Sequence, residues 1–526
     1  MKQWIKNKGL SLWAGYFFLK FLLFAENSIN FNAVENLLFA CFLLINLPYK
    51  KILNFCCVVI AIALFWHDSK LPGLQSLIDN ASLLLNFNLT YVLGLLNEIL
   101  SWTYIVYGAF AFLILRLLVL SRIISIVLTT LVFGALIVLS MIEHTHISEH
   151  INEIKDQYTD VPTLYNKEKL QVKQANKGDI ESVIKQFYAE EATRHINFPK
   201  QLAPDAEPFE ILILNICSVS WNDLQYVQME NAPLLSKFDI LLNNFNSATS
   251  YSGPAALRLI QSSCGQVPHK ELYSNLQCNL FNDLAHLGFQ KELMMDHNGN
   301  FDDYLVSIRK YGNFSEPLIS QKSLPVALQA FDNSPIYDDT VMLNEWLTRH
   351  HPKRSVTFTN IMSLHDGNHY PNQKKTADYK QRVQKVFSGI ELLISNLEKE
   401  HRKVMVIIVP EHGANIKGDS VQIAGLRDIP NFSNTNVPVG VRFTGLKGNH
   451  PQKTIVLNEP TSYLAISELI NRSLNGTIFT VSEPNWTQLT SQLPQTIPIS
   501  ENGSAKAILF HDKQYFKQGS KWLEYR

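Results

Sequence analysis

The sequence predicts an α-helical transmembrane N-terminal domain joined to an α/β sandwich with a mostly parallel sheet. Three observations predict it. Sixteen charged side chains fall in residues 1–150 and 76 in residues 151–526, so the overall charged fraction of 17% averages two unlike parts. Long apolar stretches fill the first 142 residues, as a lipid solvent demands. Beyond Phe209, short continuous apolar runs alternate with helical patterns over roughly 300 residues, the pattern of buried strands covered by helices. The 46 basic and 46 acidic side chains cancel. That balance argues against a nucleic-acid partner, because duplex binding needs a clustered excess of Lys and Arg.

Within the N-terminal part, residues 103–142 carry only Arg116 and Arg122 as charges. As one helix they would extend ~60 Å, about twice a hydrocarbon core, so two spans, 103–120 and 122–142, are expected. The stretches 9–25, 31–48 and 51–66 supply three more. With the N-terminus cytoplasmic, Lys2, Lys6, Lys8, Lys50, Lys51, Arg116 and Arg122 fall on or near the cytoplasmic side, as the positive-inside rule requires. Lys20 is expected to snorkel from the first span, and Trp13, Trp66 and Trp102 to form an aromatic belt. Residues 79–101 mix Asn, Asp and Glu with leucines and read as an amphipathic helix on the outer surface, the alternative being a sixth span, which would strand the C-terminal domain in the cytoplasm. Five spans then deliver the rest of the chain to the outside. Cys41, Cys56 and Cys57 lie in spans as apolar filler. Of the three exported cysteines, Cys264 and Cys278 form the natural disulfide pair, leaving Cys217 with another task.

Residues 143–208 are polar and proline-bearing, a connector with a helix near 178–197. The domain at 209–526 opens on FEILILNI, and further buried strands are expected at 237–243, 354–364, 403–409 and 437–443. Helical patterns occupy 253–263, 377–401 and 459–474. In such sheets ligands bind at the carboxyl ends of the strands.

Three strand ends carry chemistry. The first runs into Cys217, the strand at 403–409 into Glu411 and His412, and that at 354–364 into His365 and His369. Thiol, imidazole and carboxylate on one edge form a donor set for zinc rather than magnesium or calcium. A fourth element, Tyr251-Ser252-Gly253-Pro254, opens an apolar-periodic helix, with Pro254 suited to the first helical position. Ser252 reads as an ordinary N-cap, or as a nucleophile whose alkoxide and phosphoenzyme are stabilised by the free N–H groups of the helix start. Cys217 reads alternatively as an inert strand-end thiol, and Arg427 as a surface charge paired with Asp428. Trp221, Tyr251 and Tyr370 are the aromatic side chains available to a glycan.

The segments NICSVSWNDL (215–224), NSATSYSGPAALRL (246–259), SLHDGNHYP (363–371) and VPEHGAN (409–415) resemble the alkaline-phosphatase-like superfamily. Within it they are similar to membrane-bound phosphoethanolamine transferases, specifically the cellulose-modifying branch. The likeness extends over nearly the whole chain. It implies a bacterial inner-membrane anchor with a cytoplasmic N-terminus and a periplasmic zinc domain. It further implies that Ser252 is the nucleophile, that Cys217, Glu411, His412 and Ser252 hold Zn2+, and that His365, Tyr251 and Arg427 serve the reaction. His369 resembles the histidine before proline in the lipid A-modifying relatives, a candidate substrate-binding position. Cys217 and Ser252 replace the carboxylate and threonine of those relatives, which sets lipid A specificity and a second metal site in doubt. The implied donor is phosphatidylethanolamine and the implied acceptor cellulose, with cellulose synthase and secretion subunits as partners. A phosphatase- or sulfatase-type hydrolase, a transferase acting on another envelope glycan, and a non-catalytic scaffold are the alternatives.

Overall fold

The structure is a computed structural model. It describes residues 180–526 with few interruptions and, before them, residues 2–25, 29, 32–43, 50–69 and several positions between 127 and 134. The chain divides into two compact units, one formed mainly by the N-terminal residues and one by the residues from 180 onward.

In the N-terminal unit, α1 (Lys2–Ala25), α2 (Ala33–Leu43) and α3 (Lys50–Asp68) overlap the expected spans 9–25, 31–48 and 51–66. Helical residues between 127 and 134 fall within the expected span 122–142, whereas 79–101 and 103–120 lie outside the described residues. Among the described residues no helix is long and apolar enough to cross a membrane.

Lys20 departs from its expected snorkelling position. Its side chain is fully buried, with Nζ 2.6 Å from Asp68 Oδ2 and donating to Asn36 Oδ1 at 2.7 Å. Asn36 Nδ2 in turn donates to Asp68 Oδ2 at 2.6 Å, so one residue from each of α1, α2 and α3 closes a polar knot. Burying a lysine without such partners would be prohibitive, and the carboxylate replaces the water that snorkelling would have reached. Around it, Trp13, Tyr16, Phe17 and Phe39 pack edge to face.

The larger unit is built on a seven-stranded sheet. In chain order its strands are β1 (Glu210–Cys217), β2 (Ile240–Asn246), β3 (Gln290–Met295), β6 (Ser355–Ile361), β7 (Val404–His412), β8 (Asn436–Thr444) and β9 (Ile455–Leu457). Two short strands, β4 (Val326–Gln329) and β5 (Pro335–Tyr337), form a separate ribbon. The sheet order is β3-β6-β1-β7-β8-β2-β9, and β8 alone runs antiparallel to its neighbours, making the sheet mixed. β1 and β7 are central and wholly buried, which is why their sequences read as near-continuous apolar runs. The sides of the sheet bury two cores, one around Ile211, Ile213, Phe358 and Ile407, the other around Leu212, Leu214, Val406 and Ile408. Alternate residues of each central strand divide between them, as the pleat requires.

Helices cover both faces. α4 (Ile180–Glu191) falls within the expected connector helix. α5 (Trp221–Tyr226), α6 (Ser252–Ile260), α7 (Tyr379–Lys399) and α8 (Tyr463–Ser473) belong to the larger unit. A second sheet, the antiparallel meander β10 (Ile499–Asn502), β11 (Ala505–Phe510), β12 (Lys513–Gln518) and β13 (Lys521–Glu524), shares a small core with α4. Cys264 and Cys278 are joined by a disulfide.

Candidate active site

The two innermost strands set the site. β1 and β7 pair in parallel, and after a register shift beyond Ile216, Cys217 lies opposite His412. Cys217, Glu411 and His412 are buried, and their donor atoms all lie within 4.8 Å of one another. α6 points its first residue into this cluster: Ser252 Oγ is 3.2 Å from Cys217 Sγ and 3.2 Å from His412 Nε2. The helix starts two residues earlier than the proline suggested. Tyr251 is the N-cap, Ser252 the first helical residue, and Pro254 the third, where its missing N–H still falls among the helix's unbonded donors. Ser252 is therefore not the N-cap.

His412 Nδ1 donates to the Gly413 carbonyl at 2.8 Å, which fixes the tautomer and leaves Nε2 as the lone pair facing Ser252 and Cys217. Gly413 is obligatory here. A Cβ at this position would come within 2.6 Å of Ser220 Oγ and 2.8 Å of Asp223 Oδ2. Asp223, which closes a capping box with Ser220 at the start of α5, also accepts from the Ala414 N–H at 2.7 Å and the Ile416 N–H at 3.2 Å. It thereby pins the turn that follows Glu411 and His412.

Glu411 is held from the other side. Its Oε1 accepts from Asn360 Nδ2 at 2.7 Å and from the Tyr304 hydroxyl at 3.2 Å. Asn360 Oδ1 accepts from His297 Nε2 at 2.7 Å, and His297 Nδ1 accepts from the Gly299 N–H at 3.1 Å. The chain from His297 through Asn360 to Glu411 is fully oriented. None of these three supporting residues was singled out from sequence. One signal was present: Asn215 interrupts the apolar run of β1, and its register partner on β6 is Asn360. Replacing Asn360 with Leu removes one of the two hydrogen bonds to Glu411 Oε1. We expect metal affinity to fall by about 10–100-fold, the usual cost of losing an outer partner of a ligand, with metal competition titration as the check.

The loop after β6 brings His365 beside Arg427. His365 Nδ1 is 2.6 Å from the Asp366 carbonyl, to which it donates, and Nε2 faces Arg427 Nη2 at 3.4 Å. Burial holds the imidazole below its ordinary range, favouring the neutral ring. Arg427 is paired with Asp366 at 2.7 Å, rather than with Asp428 at the surface, and its side chain is only 10% exposed. Asp428 instead accepts from the Tyr251 hydroxyl at 2.7 Å. Asn502, at the end of β10, ties these loops together: Oδ1 accepts from the Thr249 hydroxyl and the Ser250 N–H, and Nδ2 donates to the Arg427 and Asp428 carbonyls. His369 stands apart from the donor cluster. Its backbone pairs with Gln329 of β4. Of the glycan candidates, Tyr370 is exposed, while Trp221 Nε1 donates to the Asn243 carbonyl.

The donor set fits a zinc ion. Glu411 Oε2 is buried without a protein hydrogen-bond partner. Burial pushes the Cys217 thiol well up, lifts Glu411 to about 6 and drives His412 well down. A bound cation is what makes a thiolate and a carboxylate tolerable at one buried point, and a neutral imidazole is the form that ligates.

Two family models match this sequence: the cellulose biosynthesis protein BcsG C-terminal domain over residues 165–522 and the BcsG N-terminal domain over residues 13–141. The chain belongs to the BcsG family. BcsG of Escherichia coli K12 is 42% identical over 547 residues, covering 99% of this chain and 97% of that protein. BcsG of Salmonella typhimurium LT2 is 43% identical over 545 residues, with the same coverage. Among solved structures, this BcsG family member is similar to the integral membrane lipooligosaccharide phosphoethanolamine transferase A of Neisseria meningitidis, with 12% identity and a TM-score of 0.41 over 90% of this chain and 95% of that one. It is also similar to the zinc complex of the C-terminal periplasmic domain of EcEptC from Escherichia coli, with 11% identity and a TM-score of 0.40 over 63% and 96% of the two chains.

Proposed function

We propose that this BcsG family member transfers phosphoethanolamine from phosphatidylethanolamine to glucose hydroxyls of nascent cellulose, at the primary C6 position. The observation that carries the reading is Ser252: a hydroxyl at a helix start, within 3.2 Å of both Cys217 Sγ and His412 Nε2. Cys217, Glu411, His412 and Ser252 would hold Zn2+, which lowers the pKa of a coordinated hydroxyl and neutralises charge on a transferring phosphoryl group.

The reaction divides into two displacements. In the first, Ser252 Oγ forms a bond to phosphorus, the bond from phosphorus to the glycerol oxygen breaks, and the serine's proton ends on diacylglycerol. In the second, a glucose hydroxyl attacks the phosphoserine, and its proton returns to Ser252. The free N–H groups of α6 favour the anionic intermediate. His365, neutral and with Nδ1–H committed to the Asp366 carbonyl, offers Nε2 as a base for the acceptor hydroxyl. Arg427, anchored by Asp366, is a positive charge suited to a phosphoryl oxygen. Tyr251 is committed to Asp428 and shapes the loop around the nucleophile.

A multi-pass inner-membrane protein with a cytoplasmic N-terminus and a periplasmic catalytic domain suits this chemistry, because a lipid donor reaches an anchored site by diffusion in two dimensions. The Cys264–Cys278 disulfide supports an oxidising compartment. Subunits of a cellulose synthase and secretion complex are the partners such an acceptor implies. The test incubates full-length, zinc-loaded protein with phosphatidylethanolamine vesicles and cello-oligosaccharide. Mass spectrometry should find phosphoethanolamine on glucose, with diacylglycerol as co-product. Release of free phosphoethanolamine without glycan modification would favour the hydrolase alternative.

A further inference from the structure

The nucleophile helix has a second polar end. Arg258, in the last turn of α6, is only 4% exposed. Its Nη1 donates to the Val267 carbonyl at 2.9 Å, whereas Nε and Nη2 are buried without a protein partner. The side chain lines a cavity of about 20 Å³ together with Tyr463 and Thr496, whose hydroxyls are likewise buried and unpartnered. The nearby carboxylates are committed elsewhere. Glu191 holds Arg194 through one oxygen and accepts the Gln266 N–H through the other. Glu501 holds Lys506 and accepts the His269 N–H. Each acid is thus matched by its own base, and the guanidinium of Arg258 has no paired carboxylate among the described residues.

We propose that this cavity binds one small monovalent anion of halide size, on the free edge of the Arg258 guanidinium with the Tyr463 and Thr496 hydroxyls as further donors. Water alone would satisfy the hydrogen bonds but leave the buried positive charge uncompensated, and buried charges are paired. Size excludes the larger anions. A cavity of about 10–15 Å³ accommodates one water, so this one admits an ion and at most one water, and a tetrahedral oxyanion does not fit. The remaining unpartnered acceptors on the wall, Gln261 Oε1 and Gln266 Oε1, are left for that water to serve, because their amide nitrogens are committed to the Leu272 and Ile499 carbonyls. The anion joins the end of α6 to the start of α8, at Tyr463, and so braces the helix that carries Ser252. It takes no part in phosphoryl transfer, and the inference stands whatever the substrate.

The experiment follows thermal unfolding of the full-length, zinc-loaded protein in detergent at constant ionic strength, with glutamate exchanged stepwise for chloride, bromide or sulfate. The midpoint should rise saturably with chloride and bromide and stay flat with sulfate, since a ligand that binds only the folded state stabilises it by mass action. Tyr463→Phe and Thr496→Val, which keep the shape of the cavity, should shift the half-saturating halide concentration upward several-fold, and Arg258→Met should abolish the response. Crystals soaked in bromide should give an anomalous peak beside Arg258. Identical midpoints in all four salts, or a halide response unchanged in the Tyr463→Phe, Thr496→Val and Arg258→Met variants, would overturn the proposal.

Discussion

Replacing Ser252 with Ala should leave a folded, metal-binding protein that forms no covalent phosphoethanolamine adduct. Ser252 lies at the first helical position, makes no capping hydrogen bond, and is partly accessible, so its loss removes no core packing. Its replacement by a methyl group costs stability only on the scale of a surface change, about 0.5 kcal/mol. Catalysis has no substitute for it. Ser250, two residues earlier, donates to the Arg427 carbonyl at 2.5 Å, and Thr249 donates to Asn502 Oδ1. Neither hydroxyl is free to attack phosphorus. Transfer should therefore fall by roughly 10⁴-fold or more, the range seen when a covalent nucleophile is removed. Intact-mass analysis after exposure to phosphatidylethanolamine checks this directly, since the wild type gains the mass of one phosphoethanolamine. An adduct that persists in the variant rejects Ser252 as the nucleophile.

Cys217→Ser should have the second largest effect, and it acts on metal rather than on the nucleophile. The thiol occupies the end of a central strand, 1% exposed, 3.8 Å from His412 Nε2 and 3.2 Å from Ser252 Oγ. A serine there keeps the volume but replaces a soft, ionisable donor by a hydroxyl that does not deprotonate at neutral pH. Zinc affinity should drop by more than about 100-fold, beyond the cost of losing an outer partner such as Asn360. Metal content by elemental analysis and transfer activity should fall together while the unfolding transition is retained. Full zinc content in the variant refutes the ligand role.

The central strands were legible because burial on both faces depletes polar residues and leaves a run that needs no periodicity to be seen. β1, β6, β7 and β8 all read this way, and so did the 3.6-residue pattern of α7. Other strands left weaker traces. β3, QKELMM, is an edge strand that carries Lys291 and Glu292, β9 has only three residues, and the C-terminal meander mixes polar, basic and aromatic side chains on short strands. The direction of β8 was not legible either, since an apolar run carries no information about polarity in a sheet. At the site, the residues with distinctive chemistry, Cys217, Ser252, Glu411 and His412, were visible at strand and helix ends. Asn360, Tyr304 and His297 were not, because a supporting role depends on which strands become neighbours. Arg427 shows the same limit: its sequence neighbour Asp428 was the obvious partner, but the fold delivers Asp366.

The adjacency of β1 and β7 has a consequence for how the protein matures. Cys217 and His412 are brought opposite one another by backbone pairing at the centre of the sheet, and Glu411 is fixed by Asn360 and Tyr304. No loop has to close around an ion to assemble the donors. On the proposed zinc site, a chain that emerges unfolded could complete its sheet first and collect its metal afterwards, so that zinc scarcity would leave a reservoir of finished apoprotein ready to be switched on rather than a pool of chains awaiting degradation.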